Sequence, residues 1–222
     1  MSKHLQKDIE NLKSRIIRMG EDVEDRVYRA TLSIIQRDEQ MAQDVIAQDD
    51  EIDRMEVEIE EDCLRMLALY QPVAVDLRFI ITVLKINNEL ERVGDLAVNI
   101  AERSVFLAGQ ADVAIPFDFA GMALQAESML TRSIECLINM DVRLAYRIRS
   151  EDDDVDAKNR EMYVRLIDAI PTNFEHINYL LHALSVGRHL ERIADHATNI
   201  AEEVIYLVNA EIVRHTPETF VE

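Results

Sequence analysis

The stretch LERVGDLAVNIAE, residues 90–102, returns as LERIADHATNIAE at residues 190–202, with nine of thirteen positions identical. Repetition of this kind constrains the fold more than any single residue, because a unit written twice must bury its apolar face twice in the same way. The likeness extends upstream. Met122, Ala126, Leu130, Ser133 and Leu137 match Met19, Val23, Val27, Ala30 and Ile34 at an offset of 103, and Asp141, Asp152 and Asp156 match Asp38, Asp49 and Asp53 at the same offset. At the repeated motif the offset has fallen to 100, so three residues are lost around the turn that holds Pro171. The chain is two copies of one unit.

Each copy reads as three helices. Leu12, Ile16, Met19, Val23, Val27, Ala30 and Ile34 recur at intervals of three and four, which predicts a first helix over about 4–36. After the polar turn Gln36-Arg37-Asp38-Glu39, a second stripe of Val45, Ile52, Met55, Ile59, Cys63 and Met66 continues to about Tyr70. Pro72 suits the first turn of a third helix, where its missing N–H is harmless, and that helix runs to about Leu107. The segment AGQADVAIPFD, 108–118, is the expected linker. With only 5 Gly and 4 Pro, no strand pattern competes. The expected fold is all-α: two tandem antiparallel three-helix bundles, 1–107 and 119–213, with a tail at 214–222 and helices roughly 45 Å long.

A formal net charge of -19 argues against direct nucleic-acid binding and against attachment to anionic lipid, both of which need clustered Lys and Arg. Cys63 and Cys136 form no C-x-x-C and read as small buried hydrophobes in a reducing compartment. There is no signal-peptide-like N-terminus and no run of 18 apolar residues, so the expectation is a cytoplasmic protein without membrane insertion.

At about 100° per residue, Glu91, Asp95, Asn99 and Glu102 fall in one arc of roughly 80°, with Val93, Ala97 and Ile100 on the far side. Glu191, Asp195, Asn199 and Glu202 repeat the stripe, backed by Ile193, Ala197 and Ile200. An antiparallel turn near residue 71 brings Asp53 to the level of Glu91, and Asp49 and Asp50 to the level of Asp95. Asp152, Asp153 and Asp156 reach the level of Glu191 and Asp195 in the same way. Crowded carboxylates must be protonated, paired with arginine or bridged by a cation, and an all-oxygen cluster suits a hard or borderline cation. The competing reading is a solvated acidic face balanced by Arg92 and Arg192.

His182, His189 and His196 recur every seven residues, but their direction is roughly 150° from Glu191 at helical spacing, so flank packing or a contact between the units explains them better than a shared metal. The chain has no Glu-x-x-His pair, P-loop, G-x-S-x-G or H-E-x-x-H, and no nucleophile with an adjacent base.

The duplicated unit with Glu-Arg-x-x-Asp-x-x-x-Asn-Ile-Ala-Glu on each third helix, together with PVAVDLRFI at 72–80 and LKINNELERVGD, resembles the PhoU family of phosphate regulators, over about Leu12 to Val208. The resemblance implies a PhoU-like, spectrin-like fold and a non-enzymatic negative regulator of phosphate uptake and of the phosphate-starvation response. In the family the Glu/Asp-x-x-x-Asp pair binds metal, iron or zinc. That implicates Glu91 with Asp95 and Glu191 with Asp195, completed by Asp49, Asp50, Asp53, Asp152, Asp153 and Asp156, with Arg92, Asn99, Arg192 and Asn199 as motif support. His176 at the position of Asp76 and Ala194 at that of Gly94 suggest that the two sites differ. The implied partners are the ATPase of the phosphate ABC transporter, a phosphate-sensing histidine kinase, and a second copy in a homodimer. A metal-dependent hydrolase of phosphate compounds and a metal-free helical adaptor are the alternatives.

Overall fold

A computed structural model describes residues 3–110 and 117–214, and every regular element within them is helical. The first repeat comprises α1 (Lys3–Gln36), α2 (Glu39–Ala47), α3 (Asp49–Tyr70) and α4 (Ala74–Ala108). The second comprises α5 (Phe119–Asn139), α6 (Val142–Ala169) and α7 (Ile177–Asn209), with short 3-10 turns at Ile170–Thr172 and Phe174–His176 before α7. This is the tandem pair of bundles expected from the duplication. Residues 111–116 of the expected linker and 215–222 of the expected tail lie outside the described residues.

Matched residues do matched work. Asp38 and Asp141 each stand just before the second helix of their unit, and their Oδ1 atoms accept the N–H groups of Met41 and Leu144, both at 3.0 Å. Each satisfies one of the donors that a helix start leaves open, a contribution of about 1 kcal/mol.

Two local expectations are corrected. The second helix of the first unit does not run unbroken to Tyr70: it parts at Gln48 (φ −95°, ψ 5°), whose N–H turns back onto the carbonyls of Val45 and Ile46. Arg26, only 3% exposed, reaches this joint from α1 and donates to the carbonyls of Gln48 and, at 3.4 Å, Asp49. The joint between α2 and α3 is thereby held by a side chain from another helix. Pro72 does not lie in the first turn of the third helix either. α3 closes on a left-handed Gln71 (φ 45°), Pro72 and Val73 make the reversal, and α4 starts at Ala74.

An extensive helix contact joins the repeats, α4 against α7. The two helices run antiparallel, since Lys85 meets Glu203, Glu89 meets Asn199 and Phe106 stacks on His182. Their buried faces merge, so Val93, Ala97, Ile100, Ile193, Ala197 and Ile200 belong to one core that spans both units. A second seam pairs α1 with α5, where Thr131 donates to Glu24 at 3.2 Å and Thr31 donates to Glu127. Cys63 and Cys136 are free and fully buried, and burial pushes both thiols up to about 12.

Candidate metal centre

α3 against α4, and α6 against α7, each bring acidic residues of two helices to one height. In the first unit Asp49, Asp53 and Asp95 each offer a carboxylate oxygen within 4.8 Å of the others. In the second, Asp156, Glu191 and Asp195 do the same. The helical period that buries Val93 and Ile193 turns Asp95 and Asp195 away from the core, toward the neighbouring acidic helix.

The clusters are not copies. Glu91 lies beside the first triad, near enough for Asp95, Asp53 and Glu56 to act on it, whereas its counterpart Glu191 is a member of the second. Asp152 lies beside the second triad and accepts the hydroxyl of Thr198 at 3.2 Å, whereas its counterpart Asp49 is a member of the first. Asp50 and Asp153 are exposed and fall outside both triads. Arg92 and Arg192 are exposed, and each acts on its cluster from the rim.

The motif asparagines serve elsewhere. Asn99 Nδ2 donates to the Asp95 carbonyl at 2.8 Å, and Asn199 Nδ2 donates across the repeat boundary to Glu89 at 3.0 Å. Glu202 is held by Arg149 at 3.1 Å, and Glu102 lies 4.0 Å from Arg103. Asp76 opens α4 and His176 lies in a 3-10 turn beside Glu175, both several turns from the triads, so the difference between the sites does not come from them.

Electrostatics marks both clusters as short of positive charge. Burial first, then Asp53 and Asp95, push the Asp49 carboxyl above its usual range against the pull of Arg26. Burial and Asp53 raise Asp95, and burial with Asp95 and Asp53 raises Glu91. In the second cluster burial, Glu191, Asp152 and Asp156 together lift Asp195 to about 6. Burial and Asp156 raise Glu191, while Arg188 and Arg192 lower it.

The donor set fits a cation. Three carboxylate oxygens within 4.8 Å of one another can share an ion bound at about 2.0–2.6 Å, and oxygen ligands without thiolates suit hard or borderline metals.

A family model described as the PhoU domain matches the chain twice, at residues 16–104 and 119–204. The chain belongs to the PhoU family. It is 39% identical over 209 residues to a phosphate-specific transport system accessory protein PhoU homolog of Aquifex aeolicus, covering 94% of this chain and 95% of that one. It is 36% identical over 207 residues to the homolog of Clostridium acetobutylicum, covering 93% and 94%. The crystal structure of PhoU from Pseudomonas aeruginosa superimposes with a TM-score of 0.89 at 34% identity, over 93% of this chain and 99% of that one. The phosphate transport system regulatory protein PhoU from Streptococcus pneumoniae gives 0.86 at 27% identity, over 94% and 99%.

Two residues around the PhoU motif escape a reading of the sequence. Arg26 falls in phase with the apolar stripe of Val23, Val27 and Ala30, and a charge in that phase is the signal that it is buried against a polar partner. Thr198, which holds Asp152, has valine at the matching position 98 and carries no signal.

Proposed function

We propose that this chain is a non-enzymatic regulator of phosphate uptake, acting as a cation-binding adaptor for a phosphate-specific transport system. Membership of the PhoU family and the names of its relatives support the transport reading. The cation reading is carried by one observation: a three-carboxylate cluster recurs in both repeats, between the second and third helical arms, although the residues that make it up differ. A neutral adaptor surface has no use for the same costly crowding twice.

The partners are the ATPase of the phosphate ABC transporter and the sensor histidine kinase of the phosphate response, met by a homodimer in the cytoplasm. Among the described residues no helix is long and apolar enough to cross a membrane. Iron or zinc is the expected cation. When bound, it supplies positive charge to an otherwise repulsive acidic surface. Asp49, Asp53 and Asp95, with Asp156, Glu191 and Asp195, hold it. Glu91 and Asp152 adjust the local field from beside each triad, and Asp50 and Asp153 extend the acidic rim.

The test is metal content and partner capture. Purified protein carrying Asp95→Asn with Asp195→Asn should lose bound iron or zinc and should capture the transporter ATPase less well than wild type. Unchanged metal content would remove the cation from the proposal, and unchanged capture would remove its regulatory role.

A further inference from the structure

The two clusters derive from one ancestral unit, yet one difference between them lies under the carboxylates and not among them. In the first unit the joint at Gln48 places Asp49 in the first turn of α3, with Arg26 buried behind it. The guanidinium donates to the Gln48 and Asp49 carbonyls, lies 3.7 Å from the Glu51 carboxylate, and is close enough to Asp49, Asp22 and Asp53 to be acted on by each. At the offset of 103 that relates α1 to α5, the counterpart of Arg26 is Met129, fully buried in the apolar core. With no guanidinium there and no break, α6 runs continuously through Asp152 and Asp156.

We infer that Arg26 is a fixed counter-cation built into the first cluster, which makes that cluster the weaker of two inequivalent cation sites. This rests on the reading that the clusters hold a cation. Two physical points support it. A unit positive charge within about 10 Å of a divalent ion, at an effective dielectric of about 40, weakens binding about tenfold, and a buried guanidinium can neither swing away nor lose its proton. Arg149 is buried but paired with Glu202 at 3.1 Å, and the arginines that act on the second triad are of another kind: Arg160, 3.3 Å from Asp156, is 67% exposed, and Arg188 and Arg192 are exposed too. Water and salt screen them, and they can move aside for an ion. Arg92 matches Arg192 in the first unit, whereas Arg160 and Arg188 stand where the first unit has Val57 and Asn88, so the second cluster carries more rim arginines, all of them exposed. Arg26 has no such match. A chain of this design fills its second cluster at low cation concentration and its first only at higher concentration, giving a graded response from a duplicated site.

The experiment is a chelator-competition titration of the full chain with Zn²⁺. One variant, D49N/D53N/D95N, retains the second cluster, and another, D156N/E191Q/D195N, retains the first. The second cluster is expected to bind at least about tenfold more tightly than the first. In the chain that retains only the first cluster, Arg26→Gln should strengthen binding about tenfold, whereas Arg26→Lys, which keeps the charge, should leave it within about threefold. Equal affinities of the two clusters, or a tighter first cluster, would overturn the inference and leave the cation reading standing. A gain from Arg26→Lys equal to that from Arg26→Gln would trace the effect to the shape of the helix joint, and would overturn the charge assignment. No Zn²⁺ binding by wild type would overturn the cation reading itself. Should Arg26→Gln fail to fold, the comparison of the two single-cluster chains still decides, because it leaves Arg26 in place.

Discussion

His196 Nδ1 lies 2.6 Å from Glu89 Oε2, so the histidine inside the repeated motif binds the other repeat and turns its back on the carboxylates of its own. Asn199 Nδ2 donates to the same Glu89 oxygen at 3.0 Å. Burial alone would push the Glu89 carboxyl up, but these hydrogen bonds and the nearby His196 and Arg92 outweigh it and hold the carboxyl below its usual range. A carboxylate in this position is part of the seam between α4 and α7.

Replacing Glu89 by Ala should therefore cost about 1–3 kcal/mol, because it leaves the buried His196 and the half-buried Asn199 without their partner. The sign of the pH dependence follows from the depressed carboxyl. Its stabilisation is present above the unfolded value, near 4.5, and is lost as pH falls through the lower folded value. Urea unfolding at pH 7 and again near pH 3 measures both: the gap between wild type and Glu89→Ala should narrow at the lower pH. An equal gap at both would mean that Glu89 contributes by packing alone.

How much of this was legible in the sequence depends on which helix supplies the partner. The direction of His196 follows from the helical period alone, and so does the coincidence in height of Asp53 with the third helix, because a short turn fixes antiparallel neighbours. The identity of Glu89 as the partner of His196 does not follow, since periodicity marks which face of α4 is covered but not which helix covers it. The break at Gln48 is hidden for a similar reason. No Gly or Pro marks it, and the guanidinium that holds it comes from Arg26, twenty-two residues away on another helix. Matching by offset pairs the candidate acids of the two units one for one, whereas the triads exchange Glu191 for Asp49 because an interrupted second arm and a continuous one carry their acids past the third helix differently.

Gly94 and Gly187 separate tolerance from close packing on the two third helices. A methyl group at Gly94 would meet Ile52 Cγ2 at 3.4 Å, an ordinary contact, and the second repeat already carries Ala194 there. Gly94→Ala should be neutral or stabilising by up to about 1 kcal/mol, through the better helix propensity of alanine. At Gly187 the same methyl would fall 2.1 Å from Met162 Sδ, a side chain that is itself fully buried between α6 and α7. Met162 is flexible but has little room to move, so Gly187→Ala should lose about 1–3 kcal/mol. Thermal melts of the two variants should move in different directions. A Gly187→Ala melt equal to wild type would mean that Met162 finds another rotamer at no cost.

Asp195 provides the sharpest pH dependence. Its carboxyl is lifted to about 6 by burial and by Glu191, Asp152 and Asp156, with His196 pulling the other way. An acid whose folded value exceeds its unfolded one binds its proton more tightly in the native state, so its contribution is fully present below about pH 4 and is lost as pH rises through about 6. In the presence of a chelator, the wild-type chain should therefore lose stability between pH 5 and 7 relative to Asp195→Asn, which carries no charge at either. Cation binding runs in the opposite direction, because ligation requires the deprotonated carboxylate, so Zn²⁺ affinity at the second cluster should rise through about pH 6. Melting both proteins at pH 5 and pH 7, with and without Zn²⁺, separates the effects. Chelated wild type should fall behind Asp195→Asn only at the higher pH, and Zn²⁺ should restore wild type there but not the variant. A constant difference between the two chelated proteins would show that the carboxylates around Asp195 are relaxed by solvent, and that the crowding on which a cation would act is absent.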